Sequence, residues 1–144
     1  MIIDDFSGTG NTVIGRVKHI SDNAKSRGLS VNSSVGILVG MQQAKKKIET
    51  AGLECHFIVE CVAGISGHFS GENLEKYITC MKRLEEELCQ EIDNTKLPSL
   101  GYGEAEALFC VAGWNAPNSN LPILWWPKDK HMKDRQTVMQ RYEL

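Results

Sequence analysis

The stretch that decides the fold opens the chain: Met1-Ile2-Ile3-Asp4-Asp5-Phe6-Ser7-Gly8-Thr9-Gly10-Asn11-Thr12. Its order is apolar strand, two acids, a small flexible loop and the start of a helix. Met1-Ile2-Ile3 reads as a short strand ending at Asp4-Asp5. Beyond the loop, Val13, Val17, Ile20 and Ala24 recur at helical spacing on one face, and Gly28 stands where a helix C-cap is expected. Val35 to Val39 is a continuous apolar run of the kind that forms a buried parallel strand. Met41 to Thr50 is helical in pattern and stops near Gly52, and Leu53 to Val62 reads as another strand. Strands alternating with helices predict a three-layer α/β fold, a mostly parallel sheet flanked by helices.

Further out, Glu72 to Ile92 predicts the longest helix, with Leu74, Tyr77, Ile78, Met81, Leu84, Leu88 and Ile92 on its apolar face. Glu85-Glu86-Glu87 reads as the solvated face. Ala105 to Ala112 predicts a strand, and Leu121 to Trp126 is apolar between Pro122 and Pro127. Trp125 and Trp126 are expected in a core, one of them partly exposed because adjacent side chains point apart. Lys128 to Tyr142 reads as a basic helix whose Lys128, Lys130, Lys133, Arg135 and Arg141 form a solvated face. Lys45-Lys46-Lys47 reads the same way.

Composition bounds the function. The 144 residues are about one domain, and residues 1–144 are read as one. Hydrophobic residues at 42% and charged residues at 24% describe a globular chain. Sixteen basic against eighteen acidic residues leave a net charge of -2, with no excess that asks for nucleic acid. No apolar run approaches the roughly 20 residues of a membrane helix, and an N-terminus acidic from Asp4 is no signal peptide. The expectation is a cytoplasmic protein that binds neither membrane nor nucleic acid. Cys55, Cys61, Cys80, Cys89 and Cys110 are odd in number and lack a CxxC pair, so they read as reduced thiols. Cys55 and His56, adjacent on a strand, face apart and make a poor metal pair.

The chemistry lies in the opening stretch. In open α/β sheets ligands bind beyond the carboxyl ends of the strands. Ser7, Gly8, Thr9, Gly10, Asn11 and Thr12 lead into a helix, where free N–H groups, the helix dipole and hydroxyls favour a phosphate. Asp4 and Asp5 would repel that phosphate, so they serve another part of the same ligand. A vicinal diol suits them, since ionised carboxylates accept from hydroxyls. Diol and phosphate together describe a ribose 5-phosphate, and the two negative charges would favour a positive ribose ring. The plainer reading is a strand-to-helix connection with Asn11 or Thr9 as N-cap.

This pattern resembles the motif of type I phosphoribosyltransferases, apolar residues, two acids and a loop ending Thr-Gly-x-Thr, here Ile2, Ile3, Asp4, Asp5, Thr9, Gly10 and Thr12. Downstream, Leu100-Gly-Tyr-Gly-Glu-Ala-Glu-Ala-Leu108 and Asn115-Ala-Pro-Asn-Ser-Asn-Leu-Pro-Ile-Leu-Trp-Trp126 resemble the phosphoribosyltransferase-like family of bacterial conflict systems, PRTase-CE, found beside retrons and other anti-phage modules. The resemblance implies a Rossmann-like phosphoribosyltransferase fold. It implies Asp4 and Asp5 as the catalytic acids on the ribose hydroxyls of phosphoribosyl diphosphate, and Ser7 to Thr12 as the phosphate loop. Magnesium would be carried with the diphosphate. Asn115 and Asn118 would order the downstream loop. Gly8 departs from the acid or small polar residue that many catalytic members carry there. The family's strands and diphosphate loop before the acidic pair have no counterpart ahead of Met1. The chain is therefore expected to be the C-terminal portion of a longer domain, with an incomplete sheet that predicts self-association or a covering protein partner.

Two rivals come from other classes. Ser7-Gly8-Thr9-Gly10-Asn11-Thr12 also resembles the loop by which flavodoxin holds the phosphate of FMN, with Trp114 and Tyr102 as candidate stacking rings. That reading covers only the first dozen residues and leaves Asp4-Asp5 without a task. The other rival is a non-catalytic domain that senses a nucleotide or binds a partner.

Overall fold

The computed structural model describes residues 1–142 and divides into two compact units, Met1–Val62 and Ala63 onward. The first unit is a β-α-β-α-β succession: β1 (Ile2–Ser7), α1 (Asn11–Ser26), β2 (Ser34–Met41), α2 (Gln42–Thr50) and β3 (Glu54–Cys61). The three strands form one parallel sheet in the order β1-β2-β3. Register runs from Ile2 opposite Val35 to Ser7 opposite Gly40, and from Ser34 opposite Glu54 to Met41 opposite Cys61. The parallel α/β sheet flanked by helices is the architecture that the sequence predicts. β1 continues past the acids to Ser7, so Asp4 and Asp5 lie within the strand.

Alternation sorts the sheet's two faces. Val35 and Ile37 pack with Val13 and Val17 of α1 and Ile48 of α2, and Ile2, Cys55 and Phe57 join them. Both helices therefore cover the same face. The opposite parity carries Ile3, Leu38 and Ile58, which are 72%, 52% and 77% exposed. On α1, Val13, Val17 and Ala24 are buried, whereas Ile20 is exposed.

Both helices end as glycine at C′ predicts. Gly28 has φ 71°, the Gly28 N–H donates to the Lys25 carbonyl, and the Leu29 N–H to the Ala24 carbonyl. Gly52, with φ 78°, repeats the pattern, its N–H donating to Glu49 and that of Leu53 to Ile48. These are Schellman motifs, in which a left-handed residue turns the chain back over orphan carbonyls.

The second unit departs further from expectation. α3 spans Gly71–Glu85 and stops seven residues short of the predicted Ile92. Glu85, placed on the solvated face by its neighbours, is buried, and its carboxylate accepts from the Ser99 hydroxyl at 2.6 Å and the Leu100 N–H at 2.9 Å. The chain turns there, and the Cys89 N–H goes to the Lys128 carbonyl rather than back into the helix. Leu88 and Ile92 enter a core with Ala116, Trp125 and Trp126. β4 (Glu91–Ile92) and β5 (Thr95–Lys96) form a hairpin closed by Asp93 and Asn94, both at positive φ. Two such residues are what a tight hairpin turn of matching twist requires.

The predicted strand over Ala105–Ala112 is a loop with a single bridge, Ala107 to Asn120. Positive φ at Glu104 and Glu106 breaks any extended run. The apolar segment after it contains a short 3-10 turn at Pro122–Leu124. Both tryptophans are buried, at 2% and 0% exposure, so the expected exposed partner is absent. Their indole N–H groups donate to the Asn120 and Cys89 carbonyls, which satisfies both polar ends inside the core.

The predicted basic helix over Lys128–Tyr142 is irregular chain among its described residues. Four of its cations have structural partners, while Lys133 is exposed. Arg135 donates to the Trp126 and Ile123 carbonyls, Arg141 donates to the Ala116 carbonyl and lies over the Trp125 ring, and Lys128 and Lys130 pair with Asp134 and Glu87. No helix among the described residues is long and apolar enough to cross a membrane. All five cysteines are free thiols.

Candidate functional site

The candidate site is the carboxyl end of β1, the loop after it and the first turn of α1. Gly10 occupies the N-cap position in the left-handed region, and its carbonyl accepts the first helical bond from the Ile14 N–H at 3.0 Å. No side chain caps this helix; the Thr9 hydroxyl reaches the Asn11 N–H only at 3.5 Å. Asn11 and Thr9, the caps that sequence suggests, are displaced because Gly10 fits where they cannot. A Cβ on Gly10 would stand 3.0 Å from the Ala44 carbonyl and 3.1 Å from Ile48, so the loop lies directly against α2.

α2 reinforces the loop with polar contacts. Gln43 Nε2 donates to the Gly8 carbonyl at 3.4 Å, and Lys47 Nζ donates to Asn11 Oδ1 at 2.6 Å. Ser7, Gly8 and Gly10 are buried, while Asn11 and Thr12 are exposed. The first-turn N–H groups of α1 thus open beside two hydroxyls, with a lysine close by. That arrangement favours an anion. The lysine that the loop lacks in sequence is supplied by the next helix, 36 residues after Asn11.

The two acids are held differently. Asp4 lies on the helix-covered parity of β1, and its Oδ2 accepts from Arg16 NH1 at 3.0 Å. Asp5 lies on the other parity, and its Oδ1 accepts the Phe6 N–H at 2.8 Å. A groove of about 630 Å³ is bordered by both Asp4 and Asp5, together with Ile3, Leu38, His56 and Ile58. A second, of about 580 Å³, runs along α1 past Thr12, Arg16 and His19. Ser7 to Thr12 run from the last residue of β1 through Gly8, Thr9 and Gly10 into the first turn of α1, and Asp4 and Asp5, on opposite parities of the strand, both border the first groove.

Sequence reasoning passed over Arg16 and Gln43, and it read Lys47 only as part of a solvated Lys45-Lys46-Lys47 face, whereas Lys47 bonds Asn11 and Lys45 pairs with Glu60. Arg16 leaves one trace, since it stands four residues after Thr12 and shares its helical face. Lys47 leaves none, because its approach to Asn11 depends on how α2 packs. Near β3, the Glu60 carboxylate holds the Lys45 ammonium above its ordinary value through their ion pair. Burial, with Glu49 nearby, pushes the Cys55 thiol up.

In the second unit the two downstream motifs fold against each other. Leu100, Gly101, Gly103, Glu104 and Glu106 all have positive φ. The Tyr102 N–H donates to the Asn118 carbonyl at 2.9 Å and the Ala107 N–H to the Ser119 carbonyl at 3.0 Å. A Cβ on Gly101 would stand 2.2 Å from the Ser119 carbonyl oxygen, so only glycine allows this approach. Glu106, buried, accepts the N–H groups of Ile65 and Ser66 at 2.8 and 2.7 Å. The side chain that orders the downstream loop is Asn120, which was not singled out. It accepts from the Phe109 N–H and donates to the Phe109 and Pro117 carbonyls. Asn115 accepts only the Tyr142 N–H, and Asn118 takes part through its carbonyl.

A model of the PRTase-CE family matches residues 1–141, nearly the whole chain and both units. No curated protein and no solved structure matches it.

Proposed function

This chain belongs to the PRTase-CE family, and on that premise we propose that its phosphoribosyltransferase-like domain binds phosphoribosyl diphosphate at the β1–α1 junction. The observation that carries this reading is the uncapped N-terminus of α1, with Thr9, Thr12 and Lys47 around it, a few residues after Asp4 and Asp5. Ser7, Gly8, Thr9, Gly10, Asn11 and Thr12 receive the 5-phosphate. The acidic pair forms the ribose pole. Magnesium enters with the diphosphate, and carboxylate oxygens are the hard donors it accepts.

The reaction open to such a site is substitution at C1 of the ribose. The bond from C1 to the diphosphate oxygen breaks, and diphosphate leaves with the electron pair. The ring oxygen shares the resulting positive charge until an acceptor's lone pair forms the new bond to C1. Fixed carboxylates near the ring stabilise that charge more than they stabilise the ground state. The acceptor is unassigned, since no residue of the site names a base or an amine. The setting that goes with this reading is a cytoplasmic anti-phage module.

Calorimetric titration with phosphoribosyl diphosphate and magnesium tests the proposal. Saturable heat is expected from the wild-type chain, and none from Asp4→Asn with Asp5→Asn in a protein of unchanged circular dichroism. Undiminished affinity in that double variant would sink the site. A yellow protein as purified would favour FMN on the same loop.

A further inference from the structure

Two soft donors meet in the second unit. Cys89 follows the end of α3, and Met132 stands 43 residues further on, in the turn after Asp129. Cys89 Sγ lies 3.0 Å from Met132 Sδ and 3.2 Å from the Glu91 carbonyl oxygen. Backbone bonds set both residues. The Cys89 N–H donates to the Lys128 carbonyl, and the Cys89 carbonyl accepts from the Trp126 indole. A bridge joins the neighbouring Leu88 to Asp129. The Met132 N–H donates to the Asp129 carbonyl, and the Asp129 carboxylate holds the N–H groups of His131 and Lys133 on either side. Met132 itself takes φ 62°, a conformation that residues with a Cβ seldom adopt. The turn thus brings a thioether to a half-buried thiol, while Met132 stays 55% exposed.

Thiol and thioether are soft ligands, which select copper(I) over hard cations. Zinc asks for more donors of the cysteine, histidine or carboxylate kind, and no cluster of three such groups exists among the described residues. Copper(I) is satisfied by two sulfurs. Met132 is unbranched and exposed, so its sulfur can swing aside to admit the ion. We propose that Cys89 and Met132 form a two-coordinate site for copper(I), held between the end of α3 and the turn at Asp129. On binding, the thiol proton passes to solvent, and the thiolate and the thioether each donate an electron pair to the ion. The ion arrives and stays as copper(I), so nothing is oxidised or reduced. The site belongs wholly to the second unit and does not depend on the phosphoribosyl reading.

Anaerobic competition against bicinchoninate, whose copper(I) complex is coloured, tests the site. The probe is copper(I) kept reduced by ascorbate, added to the full chain and to Cys89→Ser, Met132→Leu and Cys80→Ser. Circular dichroism and tryptophan fluorescence are recorded for each. The wild-type chain is expected to withdraw a single ion from the chelator. Cys89→Ser should lose that ion. Met132→Leu, at an exposed position, should keep the fold and hold the ion at least about tenfold more weakly, since even the outer partners of a metal commonly matter that much. Cys80→Ser removes another exposed thiol and should bind as the wild type does. Wild-type affinity in Met132→Leu would mean that a thiol acts by itself and would overturn the pair. Loss of the ion in Cys80→Ser, its retention by a folded Cys89→Ser, or a wild-type chain that takes none from the chelator would overturn it too. Should Cys89→Ser misfold, Met132→Leu decides.

Discussion

Gly10 shows how much one residue can decide. Its φ of 77° is a conformation that costs other residues about 1–2 kcal/mol, and a Cβ there would press on the Ala44 carbonyl and Ile48. Gly10→Ala is expected to destabilise the first unit by at least about 1–2 kcal/mol, read as a lower urea midpoint. It should also weaken anion binding, because the loop must move off α2. The need for glycine was legible in the sequence as a flexible loop. The reason for it, a helix 34 residues further on, was not. Asp4 and Asp5 make the same point, since their adjacency was plain but Arg16 as the partner of only one required the packed helix.

Among the elements, those of the first unit were read well because each carries its own signals. α1 and α2 stop at Gly28 and Gly52, and β2 is a continuous apolar run. The predicted helix over Lys128–Tyr142 failed because its backbone found better partners. The Asp129 carboxylate accepts the N–H groups of His131 and Lys133 at 2.8 and 2.9 Å, and the Met139 N–H goes to the Leu124 carbonyl. The backbone N–H bonds from Lys133 and His131 hold the Asp129 carboxyl below its ordinary 3.8. A depressed carboxyl contributes fully at neutral pH, and the contribution is lost as the pH falls through 3.8 and below. The turn is therefore expected to loosen on acidification. The amide resonances of His131 and Lys133 should shift below about pH 4 and stay in place in Asp129→Asn, whose amide oxygen still accepts. A pH-independent wild type would contradict this.

At the scale of the whole molecule, the described residues form two cores, one around Val35 and Ile37 and one around Trp125 and Trp126. Trp126 is fully buried, donates to the Cys89 carbonyl and meets Trp125 edge-on at 5.3 Å. Trp126→Ala is expected to cost about 3–5 kcal/mol, seen as loss of the cooperative tryptophan fluorescence transition at lower denaturant. A change under 1 kcal/mol would place this residue outside the stabilising core. Ile3, Leu38 and Ile58 are exposed together on the face of the sheet that α1 and α2 leave uncovered. The sequence by itself determined the parallel β-α-β-α-β order, the glycine-rich turn between β1 and α1 and the family, because periodicity, turn glycines and motif spacing are local and survive in a string of letters. Only the tertiary structure decided which acid is tied to Arg16, that Lys47 stands by the loop, and that residues after Glu85 abandon helix for irregular chain. Those outcomes depend on which distant donor meets which acceptor, as Glu85 meets Ser99 and Asn120 meets Phe109, and local propensity yields wherever such buried polar groups must be satisfied.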